Sequence, residues 1–155
     1  MWAPACAVLS VSVLQVMGVK NAIDLKRQIF DSNVERSLNQ ISEWILVSAD
    51  ISYSEENKGN NEVVSVSEPL SEASKPIVLR IESMSMDSTL RIALDKNGIN
   101  SRCVFGVFDN YGQPVYLDKH CEPFRDELVE KGYSVELKDL HLKVFFPRRA
   151  RYLVG

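Results

Sequence analysis

The chain is poor in the side chains that usually carry chemistry. It has two histidines and three cysteines in 155 residues. A protein metal site needs three or four ligands at useful spacing. His120, Cys121 and His141 supply neither a His-x-x-x-His pair nor a Cys-x-x-Cys pair. Nothing near them looks like an oxyanion hole, so a Cys-His nucleophile has no supporting machinery. No Gly-rich loop follows a strand and opens a helix, which leaves phosphate cradling unsupported. There is no excess of positive charge: 18 Lys and Arg face 21 Asp and Glu, for a net charge of −3. A nucleic-acid footprint is therefore absent. No internal repeat is visible. No catalytic residue, cofactor, metal or nucleic-acid partner is expected.

What is there begins at the N-terminus. Residues 1–19 contain an uncharged run, Trp2 to Val19, broken in composition by Pro4, Ser10, Ser12, Gln15 and Gly18. A spanning helix needs about 20 apolar residues. The run is read first as a transmembrane segment, truncated or with its start misassigned. A signal peptide and a buried core helix are the alternatives. The signal peptide is weakened because no basic residue precedes the run and no clean small-x-small site follows it. Lys20, Lys26 and Arg27 follow the span and taken alone would put that side inside. With so short an N-terminal flank the charge rule does not settle orientation.

Residues 20–47 carry a helical period. Ile23, Phe30, Val34, Leu38, Ile41 and Ile45 are spaced by seven, four, four, three and four, which is one face of a helix. This stripe either packs on the domain's own sheet or pairs with a second copy in a homodimer, and both can hold along different turns. Phe30, Val34, Leu38, Ile41 and Ile45 are the candidate signal-relay face. From Ser48 to Pro76 the pattern is lost in a polar, Ser-, Asn-, Gly- and Pro-containing stretch. That composition buries too little apolar surface to offset ordering entropy. A mobile insertion is expected at 48–76, with a short strand at Glu62–Val66.

The rest, 77–150, reads as a small α/β core. Ile77–Arg80 is a short apolar piece before a helix from Met86 to Lys96. Ser85 is its expected N-cap, Met86, Leu90, Ala93 and Leu94 its buried face, and Gly98 its left-handed terminator. Cys103–Asp109 and Pro114–Leu117 read as a hairpin through Asn110-Tyr111-Gly112-Gln113, with Pro114 at a strand start. Glu122–Gly132 holds one or two helical turns. Tyr133–Leu137 and His141–Phe146 form a second hairpin across Lys138-Asp139-Leu140. Asp109 and Tyr111 fit either turn chemistry or a ligand contact.

If the first hairpin turns at Asn110–Gln113, residue 103 lies near residue 120 or 121. A Cys103–Cys121 disulfide is then geometrically reasonable; two free thiols are the alternative. Arg148, Arg149 and Arg151 suit lipid headgroups, with a ligand carboxylate as the minor option. Residues 151–155 look like the entry to a second membrane segment.

Three motifs carry a resemblance. QVMGVKNAIDLKRQIFDSNVERSLN (Gln15–Asn39), LRIALDKNGI with FGVFDNYGQPVY (within Leu90–Tyr116) and LKVFFPRRARYLVG (Leu142–Gly155) occur in that order. Together they resemble the sensor region of membrane-bound sensor histidine kinases of the Bacteroidetes type. The resemblance covers about half the chain; residues 48–76 match nothing in that pattern. It implies an extracytoplasmic PAS-like α/β domain, a small antiparallel sheet packed on a long N-terminal helix that extends from the membrane. It also implies a periplasmic location for residues after about 20, an inner-membrane anchor, and a ligand that is an unknown small molecule or protein. The family's full-length members are phosphotransferases, but their kinase domains are absent here and no catalytic residue carries over. A membrane-anchored envelope protein with an interaction or structural role and no signalling partner is the competing class.

Overall fold

The structure is a computed structural model and describes residues 3–56 and 75–154. It opens with one uninterrupted helix, α1 (Ala3–Glu56), of 54 residues. Two short helices follow, α2 (Lys75–Ser83) and α3 (Met86–Lys96). Four strands complete the core: β1 (Val104–Asp109), β2 (Pro114–Leu117), β3 (Tyr133–Leu137) and β4 (Leu140–Phe145). A 3-10 turn at Glu122–Phe124 and α4 (Arg125–Lys131) link the two hairpins. The last element is α5 (Arg149–Val154). The sheet is antiparallel throughout, in the order β2-β1-β4-β3. The architecture is thus a mixed α/β one with a long N-terminal helix against a small antiparallel sheet.

The two halves of α1 meet different surroundings. From Pro4 to Ala22 every residue is exposed. This apolar half is long and apolar enough to cross a membrane, and none of its most apolar window is buried. That exposure removes the buried-core-helix alternative. From Phe30 to Ala49 one side of the helix lies in the core. Phe30, Val34, Leu38, Ile41, Ile45 and then Ala49 are buried, three or four residues apart, as 3.6 residues per turn requires. The expected relay face is therefore covered by the chain's own sheet and helices rather than left open for a second copy.

The helix also passes the boundary expected at Val47 and continues to Glu56. Ala49 explains part of this, since it extends the buried stripe by one turn. Asp50 adds an ion pair to Lys138 at 2.8 Å. The expected insertion at 48–76 is helical at both described ends; its middle and the short strand at Glu62–Val66 lie outside the described residues. Ile77–Arg80 belongs to α2 rather than to an apolar piece before a helix. Ile77 and Ile81 are buried four residues apart, a pattern too short to be read as periodic.

At α3 the expected buried face holds, with Met86, Leu90 and Leu94 buried and Ala93 packed against the core. Its end is a Schellman motif: the Ile99 amide donates to the Leu94 carbonyl at 2.9 Å and the Gly98 amide to the Asp95 carbonyl at 3.0 Å. Gly98 takes φ 77°, a conformation that favours glycine. Ser85 occupies the N-cap position, but its hydroxyl bonds Ser88 Oγ at 3.0 Å rather than a backbone amide. Asn97 ties this helix end to α1. Its Nδ2 donates to Ser37 Oγ at 2.9 Å, and the buried Ser37 hydroxyl reaches the Asn33 carbonyl at 2.8 Å. Burying that hydroxyl is tolerated because it is paired.

The strands follow their alternation. β4 alternates buried and partly exposed residues. Tyr133 pairs with Val144, Val135 with Leu142 and Leu137 with Leu140, so these residues share the face turned to α1. The β3–β4 turn uses two residues rather than three, with Lys138 at φ 58°. A register shift between Val107 and Phe108 lets Pro114 open β2, where a missing donor is harmless. The opposite face of the sheet carries a smaller cluster of Phe108, Cys121 and Leu128. Gly106 makes room for it: a Cβ there would stand 2.9 Å from Leu117 Cδ2 and 3.3 Å from Leu128 Cδ2.

Candidate functional site

The element that joins the domain's last strand to α1 is α5. Pro147 cannot extend β4, and the chain turns there, with the Arg149 amide bonding the Phe146 carbonyl at 3.2 Å. Arg149 then reaches α1. Its guanidinium donates to Asp31 Oδ1 at 2.6 Å and lies over the rings of Phe30 and Tyr133, 5.6 and 5.7 Å from their centroids. The Tyr133 hydroxyl donates to the same carboxylate oxygen. Three elements, α1, β3 and α5, therefore meet on one Asp31 oxygen. Burial pushes the Tyr133 hydroxyl well above its usual range, and its hydrogen bond to Asp31 adds to the shift, while the Arg149 charge opposes it.

Tyr152 supplies a second attachment for α5. Its ring lies 5.0 Å from Phe30 and its hydroxyl donates to the Gly98 carbonyl at 2.8 Å. It thereby links α1 to the end of α3. Leu153 is buried beside it. Phe30 also meets Phe146 edge-on at 5.2 Å, a favoured aromatic geometry. In the sequence Phe30 stands out by its place in the stripe, and Arg149 reads as a lipid contact. Asp31 and Tyr133 carry no mark of a site there. The pairing of residue 31 with residues 133 and 149 leaves no local signal.

On the other side of α5 lies an open groove of about 860 Å³. Arg91 of α3, Arg102 of the α3–β1 connection, and Arg148 and Arg151 of the C-terminal segment line it, with Asp87 and Asp95. Cys103 and His120 are also on its wall. Burial pushes the Cys103 thiol up to about 12, with Asp87 and Asp118 adding to the shift and Arg91 opposing it. The thiol is thus protonated at neutral pH and a poor nucleophile.

Cys103 and Cys121 are both free thiols in the structure, the other of the two readings that the sequence left open. The β1–β2 ladder ends at Leu117. Beyond it the chain turns so that Cys121 joins the Phe108 and Leu128 cluster, whereas Cys103 packs with the main core on the opposite face. Cys6 is free and exposed on the apolar half of α1. Asp109 is a turn residue: its Oδ1 accepts from the amides of Tyr111 at 2.9 Å and Gln113 at 2.8 Å. Tyr111 points to solvent. His141 Nε2 lies 3.0 Å from Asn110 Oδ1. Among the described residues no three His, Cys, Asp or Glu side chains come together in a way that could hold a metal ion.

Chemically, the arrangement is a docking joint with a charged groove beside it. Among the described residues no hydrogen bond joins the Cys103 thiol to His120, although both are on the groove wall. Comparisons with protein-family models, curated proteins and solved structures find no match.

Proposed function

We propose that this chain is the signal-sensing segment of a membrane-anchored sensor histidine kinase of a two-component system, without the kinase domains, and with a PAS-like fold. In this reading the apolar half of α1 anchors the chain in the inner membrane, and residues after about 20 lie in the periplasm. The observation that carries the reading is the position of α5. This helix is docked on α1 at Phe30 and Asp31, at the end of the domain from which the apolar half of α1 departs. A ligand that binds the docked and undocked arrangements differently shifts the balance between them. The change is then delivered to α1, which carries it to the bilayer, and to the C-terminal helix docked on it.

The segment works as a homodimer in this proposal. Leu25, Ile29 and Val47 are exposed and fall on the side of α1 away from the buried stripe, where a second copy can lie. The test is the coding DNA beyond the codon for Gly155. About 20 further apolar residues, then a His-bearing helix and an ATP-binding domain, are the expected result. A stop codon there would overturn the proposal in favour of an anchored envelope protein that acts through binding partners alone.

A further inference from the structure

We infer that the groove beside α5 is a binding site for a small soluble polyanion carrying carboxylate or phosphate groups. The inference rests on the sensory reading for its purpose, but its binding chemistry stands on the groove itself. Four arginines, Arg91, Arg102, Arg148 and Arg151, line one groove. None of them has an ion-pair partner among the described residues. Among the described residues Asp87 and Asp95 are the only carboxylates on the wall, so cations outnumber anions there although the chain as a whole is negative. Guanidinium forks match carboxylate and phosphate oxygens two at a time. An anion entering the groove meets more positive than negative side chains, an attraction that salt screens.

The position of the groove favours a soluble ligand over a lipid headgroup. Tyr152, on the groove wall, packs its ring at a tilt against Phe30, eleven residues after Val19. At the rise of an α-helix this is about 16 Å beyond the end of the apolar run. The headgroup layer on each side of a bilayer is only about 5–8 Å thick. An upright α1 therefore holds the groove above the headgroups.

The groove also has two owners. Arg91 and Arg102 belong to the core, and Arg148 and Arg151 flank Arg149, which is paired with Asp31. An anion bridging the two sets pulls the C-terminal segment toward the core and favours the docked α5. Ligand binding and helix docking are thereby coupled through neighbouring residues of one short helix.

The experiment uses the full chain in phosphatidylcholine nanodiscs, titrated calorimetrically with citrate and with inorganic pyrophosphate. Binding of at least one probe is expected, weakening as salt is raised. In Arg91→Ala/Arg102→Ala the affinity should fall by about tenfold or more, since two charge-assisted contacts are lost. Arg125→Ala, exposed and off the groove, should bind as the parent does. Hydrogen exchange of the α5 amides should slow on addition of the probe in the parent and not in the double variant. Because all the substituted residues are exposed, thermal melting should be unchanged and serves as the folding check. Failure of both probes to bind at about 10 mM, or equal affinity in the double variant, overturns the inference. If neither probe binds but phosphatidylglycerol nanodiscs protect α5 in an Arg91- and Arg102-dependent way, the ligand is a lipid headgroup and the soluble assignment is wrong. None of these results depends on the coding sequence beyond Gly155, so the sensory reading and the site can fail separately.

Discussion

Two adjacent residues of α1 should behave as opposites. Phe30 is 1% exposed and Ile29 is 52% exposed. The Phe30 ring contacts Phe146 and Tyr152 and lies under the Arg149 guanidinium. Truncating it removes a fully buried aromatic side chain, a change that typically costs about 3–5 kcal/mol. For a domain of this size that amounts to a fall of about 10–20 °C in Tm. Ile29→Ala removes a side chain already in solvent, and surface changes of this kind usually stay within about 0.5 kcal/mol. The assay is thermal melting of the full chain in detergent micelles, followed by near-ultraviolet circular dichroism. The aromatic signal matters because residues 3–22 contribute helix without packing on the domain. Phe30→Ala should also loosen α5, seen as faster exchange of its amides. Equal melting of the two variants would refute the packing of α1 on the sheet, and with it the docking joint.

Two further outcomes come from the same joint and its groove. Asp31→Asn removes the carboxylate charge that pairs with Arg149; both side chains are about one-third exposed, so the loss in global stability should be no more than about 1 kcal/mol. Amide exchange in α5 should nevertheless accelerate, because local opening is governed by local contacts, and unchanged exchange would count against the clamp. At alkaline pH the stability contributed by Cys103 should decline. Its folded value is raised to about 12 from 9.0, so the unfolded chain releases its proton first. The contribution is fully present below pH 9 and is lost as pH rises toward 12. Tyr133 is shifted in the same direction. Cys103→Ser should therefore shrink, without abolishing, the drop in denaturation midpoint between about pH 8 and about pH 10.5, and an undiminished drop would argue that the thiol is not desolvated.

Local patterns carried most of the fold into view. The stripe from Phe30 to Ile45, the Gly98 stop and the two hairpins all rest on interactions within a few residues of each other, and all are present. The short turns over Glu122–Gly132 are present for the same reason. The elements missed were those without a period long enough to recognise. α2 shows only Ile77 and Ile81 on its buried side, and the last turns of α1 are held by Ala49 and by an ion pair from residue 50 to residue 138. The choice between a Cys103–Cys121 disulfide and two free thiols was not legible in the sequence, because strand parity, which decides the face a residue points to, applies only as far as the ladder extends. Asp31, Tyr133 and Arg149 become neighbours only after the sheet has brought β3 and the C-terminal segment onto α1. The arginine groove is hidden in the same way, since Arg91 and Arg151 lie on elements far apart in sequence.

The uninterrupted course of α1 has a geometric consequence. Each residue of an α-helix turns its side chain by about 100° and advances by about 1.5 Å. The core grips one side of α1 from Phe30 to Ala49, and this fixes the azimuth of every residue back to Ala3. Any rotation or lift of the gripped part arrives at the other end in phase and without slack. One residue added between Lys20 and Ile29 would leave both ends chemically intact. It would twist the apolar half by more than a quarter turn relative to the domain, as a coupling shaft keyed one tooth out of register.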